Sequence, residues 1–238
     1  MRQIELEPID FPPLTSLLPL TVAHAWTTPS KNPMAWETGL HASEEANLGR
    51  AVLKRRREFT AGRNCARQAM RNLGLSANQA EVPISVGSHR EPIFPTGVIG
   101  SISHCDDFCA AVAARAGNVL VGLGLDVEVN RPIDGDVASL VMRPHERHTW
   151  ESAFWLNACP LTVAFSIKEA FFKAVFLECR RYLDFGDAWL MPALSDSDGD
   201  FSIAIMDPGL KNCLEGLRII GRCAADAHHV YSVAALVR

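Results

Sequence analysis

Two long segments with helical periodicity, each accompanied by strand-like runs, constrain the fold of this chain more than any other feature. Apolar residues recur at spacings of three, four or seven between Ala51 and Leu73, and a second helix is predicted over 161–177. Gly74 is placed to end the first helix, because glycine commonly follows a helix C-terminus. This mixture of elements predicts an α/β or α+β fold.

Strand-like runs bounded by turn-forming residues flank both predicted helices. They cover 20–26, 98–104, 108–115, 119–129, 188–194, 201–206, 217–224 and 230–237. Pro144 is expected to be the first residue of a short helix, and the polar residues at 131–136 are expected to form a loop. Each half of the chain therefore carries one long helix and several strands, which favours two similar α/β halves.

Bulk properties exclude several classes of protein. The chain has 238 residues, 48% of them hydrophobic, and a formal net charge of −4, which fits a soluble globular protein without a globally basic surface. The four cations at 54–57 point to all sides of a helix and are expected to be mostly solvated. No signal peptide or membrane span is predicted. Seven cysteines without a Cys-x-x-Cys pair indicate reduced thiols in a cytoplasmic protein.

An acidic pair at the end of an apolar strand is the most informative local pattern. Asp126 and Glu128 are two residues apart and therefore point to the same face of a strand, while Val127 faces the core. Such paired carboxylates are costly unless a cation neutralises them, and Mg²⁺ typically takes one or two carboxylates with waters and substrate phosphates. For this pattern alone, solvated acids at an exposed strand end are the alternative.

A second pattern lies on the second predicted helix. Glu169 and Lys173 are four residues apart, so they share one helix face. Taken alone, they form an ordinary surface ion pair worth a few tenths of a kcal/mol. Phe165, Phe172 and Phe176 share or border that face, however, which predicts that the charges lie at the edge of the core. Partly buried charges need partners, and the acidic strand can supply them.

A third pattern is Gly-Ser-Ile-Ser-His-Cys at 100–105, which also ends an apolar strand. Ser103 and His104 can donate hydrogen bonds to a phosphate. This segment therefore provides a candidate phosphate contact.

Zinc sites are disfavoured by the spacing of histidines and cysteines. A site built on His104, Cys105 and Cys109 lacks a second ligand pair further along the chain. His145 and His148 form an H-x-x-H pattern that differs from the zinc-protease motif. These two histidines are therefore expected to be surface polar residues.

Taken together, the patterns resemble the surfactin-type 4′-phosphopantetheinyl transferases. The two signature motifs correspond to Gly-Leu-Asp-Val-Glu at 124–128 and Phe-Ser-Ile-Lys-Glu-Ala-Phe-Phe-Lys at 165–173. Further segments resemble the subgroup typified by enterobactin synthetase component D, namely 57–67, 90–95 and 100–105. The resemblance runs from about residue 55 to residue 173 in the family's order, and none is claimed for 1–50 or 190–238.

The resemblance implies a fold and a division of labour. Members of this family consist of two α/β subdomains related by pseudo-twofold symmetry, with coenzyme A bound in the cleft between them. Residues 1–125 would form the subdomain that binds the nucleotide and phosphates, and residues 126–238 would carry the metal site and the Lys-Glu helix. A monomer is expected on the same ground.

The resemblance also implies a role for each matching residue. Mg²⁺, for which Mn²⁺ is a possible substitute, would be held against the pyrophosphate by Asp126, Glu128 and Glu169. Lys173 would neutralise charge on the leaving phosphate. Coenzyme A would be bound by Arg55, Arg63, Arg90, Ser103 and His104, with Lys168 also able to touch phosphate. Two departures from the family pattern are Leu125, where isoleucine is commoner, and Val127, which cannot help to complete the metal shell as its counterpart does in some relatives.

The implied reaction moves the phosphopantetheine group of coenzyme A to a serine of an apo carrier protein and releases 3′,5′-ADP. Serine is a poor nucleophile, so a base is needed, and Glu169 is the candidate, directly or through a water. With Asp126 and Lys173 it would form the catalytic set. Acyl, peptidyl or aryl carrier domains of peptide, siderophore, polyketide or fatty-acid synthesis all fit.

Three other functions compete with this one. A non-catalytic module that binds coenzyme A or a carrier protein is disfavoured because all three carboxylates and Lys173 are present. Nucleic-acid binding is disfavoured by the acidic net charge and by the lack of a basic stripe with interleaved aromatics. A different Mg²⁺ phosphotransferase or nuclease would explain the paired acids but not the other motifs, and there is no P-loop pattern.

Overall fold

The structure is a computed structural model that describes residue 17 and residues 21–152, 157–191 and 199–238. The described chain forms two compact units, which divide between Ala116 and Gly117, with residue 17 assigned to the second unit. This position differs from the expected boundary at 125/126, because 120–129 is one continuous strand that pairs within the second unit. None of the described helices combines the length and apolar character needed to cross a membrane.

The first unit consists of one long helix, a three-stranded sheet and a small hairpin. Its elements in chain order are strand β1 (Val22–Thr27), helices α1 (Ala42–Ala46), α2 (Leu53–Asn72) and α3 (Ala77–Ala80), and strands β2 (Ser85–Val86), β3 (Pro92–Ile93), β4 (Val98–Cys105) and β5 (Phe108–Arg115). The antiparallel sheet has the order β1-β5-β4, and β2 pairs with β3.

Helix α2 packs on the three-stranded sheet through small residues. Ala61, Ala66 and Ala69 on the helix and Ala111 on β5 are buried in one core cluster. After the helix, Gly74 adopts a φ of +79°, a left-handed conformation that glycine reaches without steric cost. The predicted helix over 51–73 and its stop at Gly74 are therefore confirmed.

The second unit consists of a five-stranded sheet and one long helix, with shorter helices around them. Its elements are strand β6 (Leu120–Val129), helices α4 (Gly135–Val141), α5 (Pro144–Ser152) and α6 (Pro160–Cys179), strands β7 (Ala188–Met191) and β8 (Asp200–Ile205), helix α7 (Pro208–Cys213), and strands β9 (Arg218–Ala225) and β10 (His229–Val237). The antiparallel order is β6-β10-β9-β8-β7, so the last strand of the chain lies next to β6.

Helix α6 lies unusually close to β6. A Cβ atom added to Gly122 would lie 2.1 Å from the carbonyl oxygen of Ala174, and one added to Gly124 would lie 1.8 Å from that of Ala170. Real Cβ atoms do not approach other atoms so closely, so no larger residue fits at either glycine without moving the helix. The pairing of strand glycines with helix alanines therefore sets the distance between α6 and the sheet.

Most predicted elements agree with the structure. The strands at 98–104, 108–115, 119–129, 201–206, 217–224 and 230–237 and the helix beginning at Pro144 are confirmed to within two residues at their ends. The strand predicted over 188–194 is present over 188–191, and 192–194 lie outside the described residues, as does residue 20 of the first strand. Helix α4 begins inside the predicted loop at 131–136, and the short elements α1, α3, β2, β3 and α7 were not predicted.

Candidate functional site

Asp126 and Glu128 lie on the face of β6 that contacts α6. Side chains alternate between the faces of a strand, so both acids share the face of Gly122 and Gly124, which touches the helix. Asp126 is buried with 3% of its surface exposed, whereas Glu128 is half-buried at the strand end. Val127, on the opposite face, is also fully buried. The shared face of the two acids was predicted, but its direct contact with a helix was not.

Helix α6 brings a cation, Lys173, and a third carboxylate, Glu169, to the face of β6 that carries the two acids. The Nζ atom of Lys173 lies 2.7 Å from Oδ1 of Asp126 and donates to the backbone oxygen of Leu125 at 3.1 Å. The side chain of Lys173 is 31% exposed, so the ion pair lies at the edge of the core. Glu169, one helical turn before Lys173, is likewise half-buried. The expectation that Glu169 and Lys173 lie at the edge of the core is therefore confirmed.

The three carboxylates lie close enough to repel one another. Burial, together with repulsion from Asp126 and then from Glu169, raises the pKa of Glu128 to about 7 against the attraction of Lys173. Burial also raises the pKa of Glu169, where Lys173 opposes the rise and Asp126 adds to it. A cluster of acids that resists ionisation is a place where an added cation is strongly favoured.

The donor set fits Mg²⁺ in chemistry, because carboxylate oxygens are the protein ligands that this ion prefers. Within the described residues, no three His, Cys, Asp or Glu side chains are arranged to hold a metal ion together. One oxygen of Asp126 is engaged by Lys173. Because Mg²⁺ usually takes one or two carboxylates and completes its shell with waters and phosphates, a site that depends on the substrate is consistent with this arrangement.

Lys168, expected to touch phosphate, is placed elsewhere. Its side chain is fully buried, with Nζ 2.7 Å from Oε1 of Glu146, and it donates to the backbone oxygens of Val141 at 2.8 Å and Phe185 at 2.9 Å. These contacts use all three N–H donors of the ammonium group. Burial lowers the pKa of Lys168, and Glu146 opposes that change. The structure thus gives Lys168 a structural ion pair rather than access to a ligand.

Glu146 is a residue whose importance sequence reasoning missed. It is 2% exposed and also accepts a hydrogen bond from the backbone nitrogen of Leu190 at 2.8 Å. His145 and His148 on the same helix are exposed, as predicted. No pattern in the sequence distinguished Glu146 from the exposed residues beside it on α5, and local spacing does not relate it to Lys168.

In the first unit, two of the predicted cofactor-binding residues meet. Arg55, on α2, donates from Nη1 to Nε2 of His104, on β4, at 3.2 Å. Glu58, also on α2, lies 3.9 Å from the other ring nitrogen of His104. Arg55 is exposed, and His104 has one third of its side chain exposed, so both remain accessible.

Arg63 continues the same side of α2 but is buried. Its Nε donates to the backbone oxygen of Ile84 at 3.3 Å, and its guanidinium lies 3.9 Å from the centre of the Phe59 ring. Burial lowers the pKa of Arg63 to about 10, and the charge of nearby Arg55 contributes to the decrease. Arg63 thus adds positive charge near Arg55 from a buried position.

Ser103 points away from the contact between Arg55 and His104, and Arg90 lies on a different element. On β4, His104 shares the face of Ile102, which contacts α2 beneath Gly62, whereas Ser103 is buried on the opposite face. Arg90 lies in the exposed turn between β2 and β3, where its φ of +70° is unusual for a residue with a side chain. The alternation of side chains along a strand therefore separates Ser103 from His104, although both were expected to contact coenzyme A.

Comparison with known proteins identifies the same family over both units. The model of the 4′-phosphopantetheinyl transferase N-terminal domain matches residues 43–114, and the model of the 4′-phosphopantetheinyl transferase superfamily matches residues 122–231. The second match contains all three carboxylates, Lys168 and Lys173.

Individual relatives agree with the family models. The 4′-phosphopantetheinyl transferase Svp of Streptomyces mobaraensis is 34% identical over 82% of this chain and 77% of its own length. The transferase Npt of Nocardia iowensis is 33% identical over 72% of this chain and 77% of its own length. Enterobactin synthase component D of Salmonella typhi is 34% identical over 53% of this chain and 51% of its own length.

Proposed function

The chain belongs to the surfactin-type 4′-phosphopantetheinyl transferase family, and on that premise we propose that it moves the 4′-phosphopantetheine group of coenzyme A to a serine of an apo carrier protein. The other product would be 3′,5′-ADP. The observation that carries the proposal is the meeting of Asp126, Glu128, Glu169 and Lys173 where β6 contacts α6. This combination of clustered acids and one amine suits a reaction on a diphosphate.

Asp126, Glu128 and Glu169 are proposed to hold Mg²⁺, with Mn²⁺ as a substitute, once bound substrate has rearranged their side chains, because the described side chains do not surround a common metal position without it. When bound, the ion would neutralise charge on the phosphates as the serine oxygen approaches. The carboxylates supply oxygen ligands, and their mutual repulsion is relieved by a divalent cation. Because one oxygen of Asp126 is engaged by Lys173, substrate phosphate is proposed to draw the amine away and complete the site.

Glu169 is the proposed base for the carrier serine. Its pKa is raised by burial, which makes its carboxylate a stronger proton acceptor than an exposed glutamate. Lys173 is proposed to donate to the leaving phosphate, since its partly exposed ammonium group can turn from Asp126 towards a ligand. Positioning and fixed charges would then supply most of the acceleration, as in other phosphoryl transfers.

The first unit is proposed to bind phosphate groups of coenzyme A. Arg55 and His104 support this assignment most directly, because they are in contact with each other and accessible. Arg63 is proposed to add positive charge from beneath, and Arg90 to contact the cofactor from its exposed turn. Ser103 remains a proposed contact through its backbone, because its side chain is buried on the other face of β4.

The carrier domain is proposed to belong to a peptide or siderophore assembly system. The support is the similarity to enterobactin synthase component D, which extends over about half of this chain. Carrier domains of polyketide or fatty-acid synthesis are the next to test. We also propose that the protein acts as a monomer in the cytoplasm.

Incubation with coenzyme A, Mg²⁺ and a panel of apo carrier proteins tests the function. A mass gain on a carrier equal to one phosphopantetheine group, with 3′,5′-ADP as co-product, is the expected result. The carrier serine changed to alanine is the matched control and should gain no mass. Coenzyme A binding without transfer to any carrier would instead identify a non-catalytic binding module.

A further inference from the structure

Two buried serines lie beside Asp126. Ser232, on β10, is the direct cross-strand partner of Asp126, and cross-strand partners point to the same face of a sheet. Val230 and Ala234, two residues to either side of Ser232 on β10, point to the same face of the strand. Both belong to the core cluster that contains the buried residues of α6, so this is the face that packs on α6. The hydroxyl of Ser232 is thus directed to the same layer as the carboxylate of Asp126.

The second serine reaches this layer from the helix. Gly122 on β6 contacts Ala174, and Gly124 contacts Ala170. An advance of two residues along the strand is therefore matched by a step of four residues back along the helix. Two strand residues span about 6.8 Å and four helix residues about 6 Å, so the two spacings stay in step. The next step pairs Asp126 with Ser166.

Both serines are fully buried, and both hydroxyls lack a hydrogen-bond partner among the described residues. A buried hydroxyl without a partner loses its hydration and gains nothing in return. Alanine already occupies the next two positions of this helix face, Ala170 and Ala174, so a small residue alone would satisfy the packing. Two buried hydroxyls beside one carboxylate therefore indicate a shared ligand.

We propose that Ser166, Ser232 and the carboxylate of Asp126 bind one ordered water, which fixes the orientation of Asp126. A buried water typically makes about three hydrogen bonds, and these three groups provide that number. Cross-strand Cβ atoms lie about 5 Å apart, a distance that a bridging water spans better than a direct bond between short side chains.

The water has a consequence for the metal site, and this part of the inference rests on the proposed function. Lys173 holds Oδ1 of Asp126 until phosphate draws the amine away, and the water would continue to hold the carboxylate from the interior. A carboxylate held in this way keeps its outward lone pairs directed at a cation. Groups that orient metal ligands typically change metal affinity by about 10- to 100-fold when they are removed.

The test combines Ser232→Ala and Ser166→Ala in the full-length protein with two measurements. Urea unfolding without metal should show a lower midpoint for each variant, because the water loses a partner and Asp126 loses support. Mn²⁺ binding in the presence of coenzyme A, followed by electron paramagnetic resonance, should weaken by about tenfold. Ser101→Ala, a buried strand serine of the other unit, is the matched control and should leave Mn²⁺ binding unchanged.

The proposal fails if the two serine variants are more stable than wild type and bind Mn²⁺ equally well. If the hydroxyls bind nothing, removal of a buried unsatisfied group raises the unfolding midpoint and leaves Mn²⁺ binding as it was, and the inference is wrong. If the variants give this result while the wild-type protein transfers phosphopantetheine, the water site alone is overturned. Wild-type protein that neither binds Mn²⁺ nor transfers would overturn the proposed function, while the unfolding midpoints would still decide the water site.

Discussion

Asp126 shows at the scale of one residue how burial and charge are combined. Its carboxylate is almost completely buried, and Lys173 supplies the opposite charge at 2.7 Å. An uncompensated charge in the protein interior is costly, so the contact with Lys173 offsets the burial of this carboxylate. Among the described residues, no cation lies equally close to Glu128 or Glu169, and burial raises the pKa of both.

We predict that Asp126→Ala and Glu169→Ala each lower the rate of phosphopantetheine transfer by at least about 100-fold, the scale of loss when one preorganised charged group is removed. The measurement is carrier mass gain at saturating coenzyme A and Mg²⁺. Glu178→Ala, an exposed acid on the same helix, is the control and should keep full activity. Near wild-type turnover in either site variant would show that the assignment is wrong.

We predict that metal-free protein loses stability with rising pH because of Glu128. The folded pKa of about 7 lies above the ordinary value of 4.5, so the folded state binds the proton more tightly. The resulting stability is fully present below about pH 4.5 and is lost as the pH rises through about 7. Urea unfolding in EDTA between about pH 5.5 and 8.5 should therefore show a steeper decline for wild type than for Glu128→Gln. Parallel curves would contradict the raised pKa.

At the scale of elements, the contact between β6 and α6 decides the geometry of the site. Gly122 and Gly124 allow the helix backbone to approach the strand, and Ala170 and Ala174 present no bulk on the helix side. Lys173 can then reach the strand end, because side chains on a helix lean towards its N-terminus. The functional side chains therefore depend on residues that carry no chemistry themselves.

We predict that Gly124→Ala destabilises the protein by about 3 kcal/mol, since its Cβ would collide with a backbone oxygen that can move only with the whole helix. Urea unfolding measures the loss, and transfer activity should fall as Lys173 and Glu169 shift. Gly135→Ala is the matched control, because no atom lies within 4 Å of the added Cβ. Equal stability of the two variants would argue against the close contact.

We predict that Glu146→Ala lowers the free energy of unfolding by about 3–5 kcal/mol, because it leaves the ammonium group of Lys168 buried without its anion. Chemical denaturation measures this loss. Glu151→Ala breaks the exposed pair with Arg147 on the same helix and should cost less than about 1 kcal/mol. If Lys168→Met instead raised the KM for coenzyme A at unchanged stability, the role in ligand binding expected from the sequence would be restored.

At the scale of the whole molecule, each unit has a hydrophobic core of its own. Met70 is fully buried in a cluster of the first unit, and Phe171 is fully buried in a cluster of the second. Separate cores allow separate opening reactions in a folded protein.

We predict that Phe171→Ala increases hydrogen exchange more in the second unit than in the first. Loss of a buried phenylalanine costs about 3–5 kcal/mol, and the loss should fall on the elements that contact the resulting cavity. Exchange followed by mass spectrometry should show faster labelling of peptides from α6, β6 and β10. Met70→Ala is the reciprocal variant. An equal increase in both units would show that they open together.

Local patterns in the sequence were sufficient to predict the two long helices and most of the strands. The periodicity of 51–73 and the strand-like run at 98–104 are properties of neighbouring residues, and both predictions agree with the structure. Short elements such as β2, β3 and α7 were missed because two to six residues carry too little periodicity to be recognised. The family was recognised because several short motifs occur in the expected order.

The sequence by itself determined which residue types stand at which intervals along a strand or helix. It therefore predicted that Asp126 and Glu128 share a face and that Glu169 and Lys173 share another. Only the tertiary structure decided which groups meet, because contacts such as that between Lys168 and Glu146 join residues that local spacing does not relate. The cost of burying an ammonium group selects its partner, and that cost is defined only once the chain has folded around it.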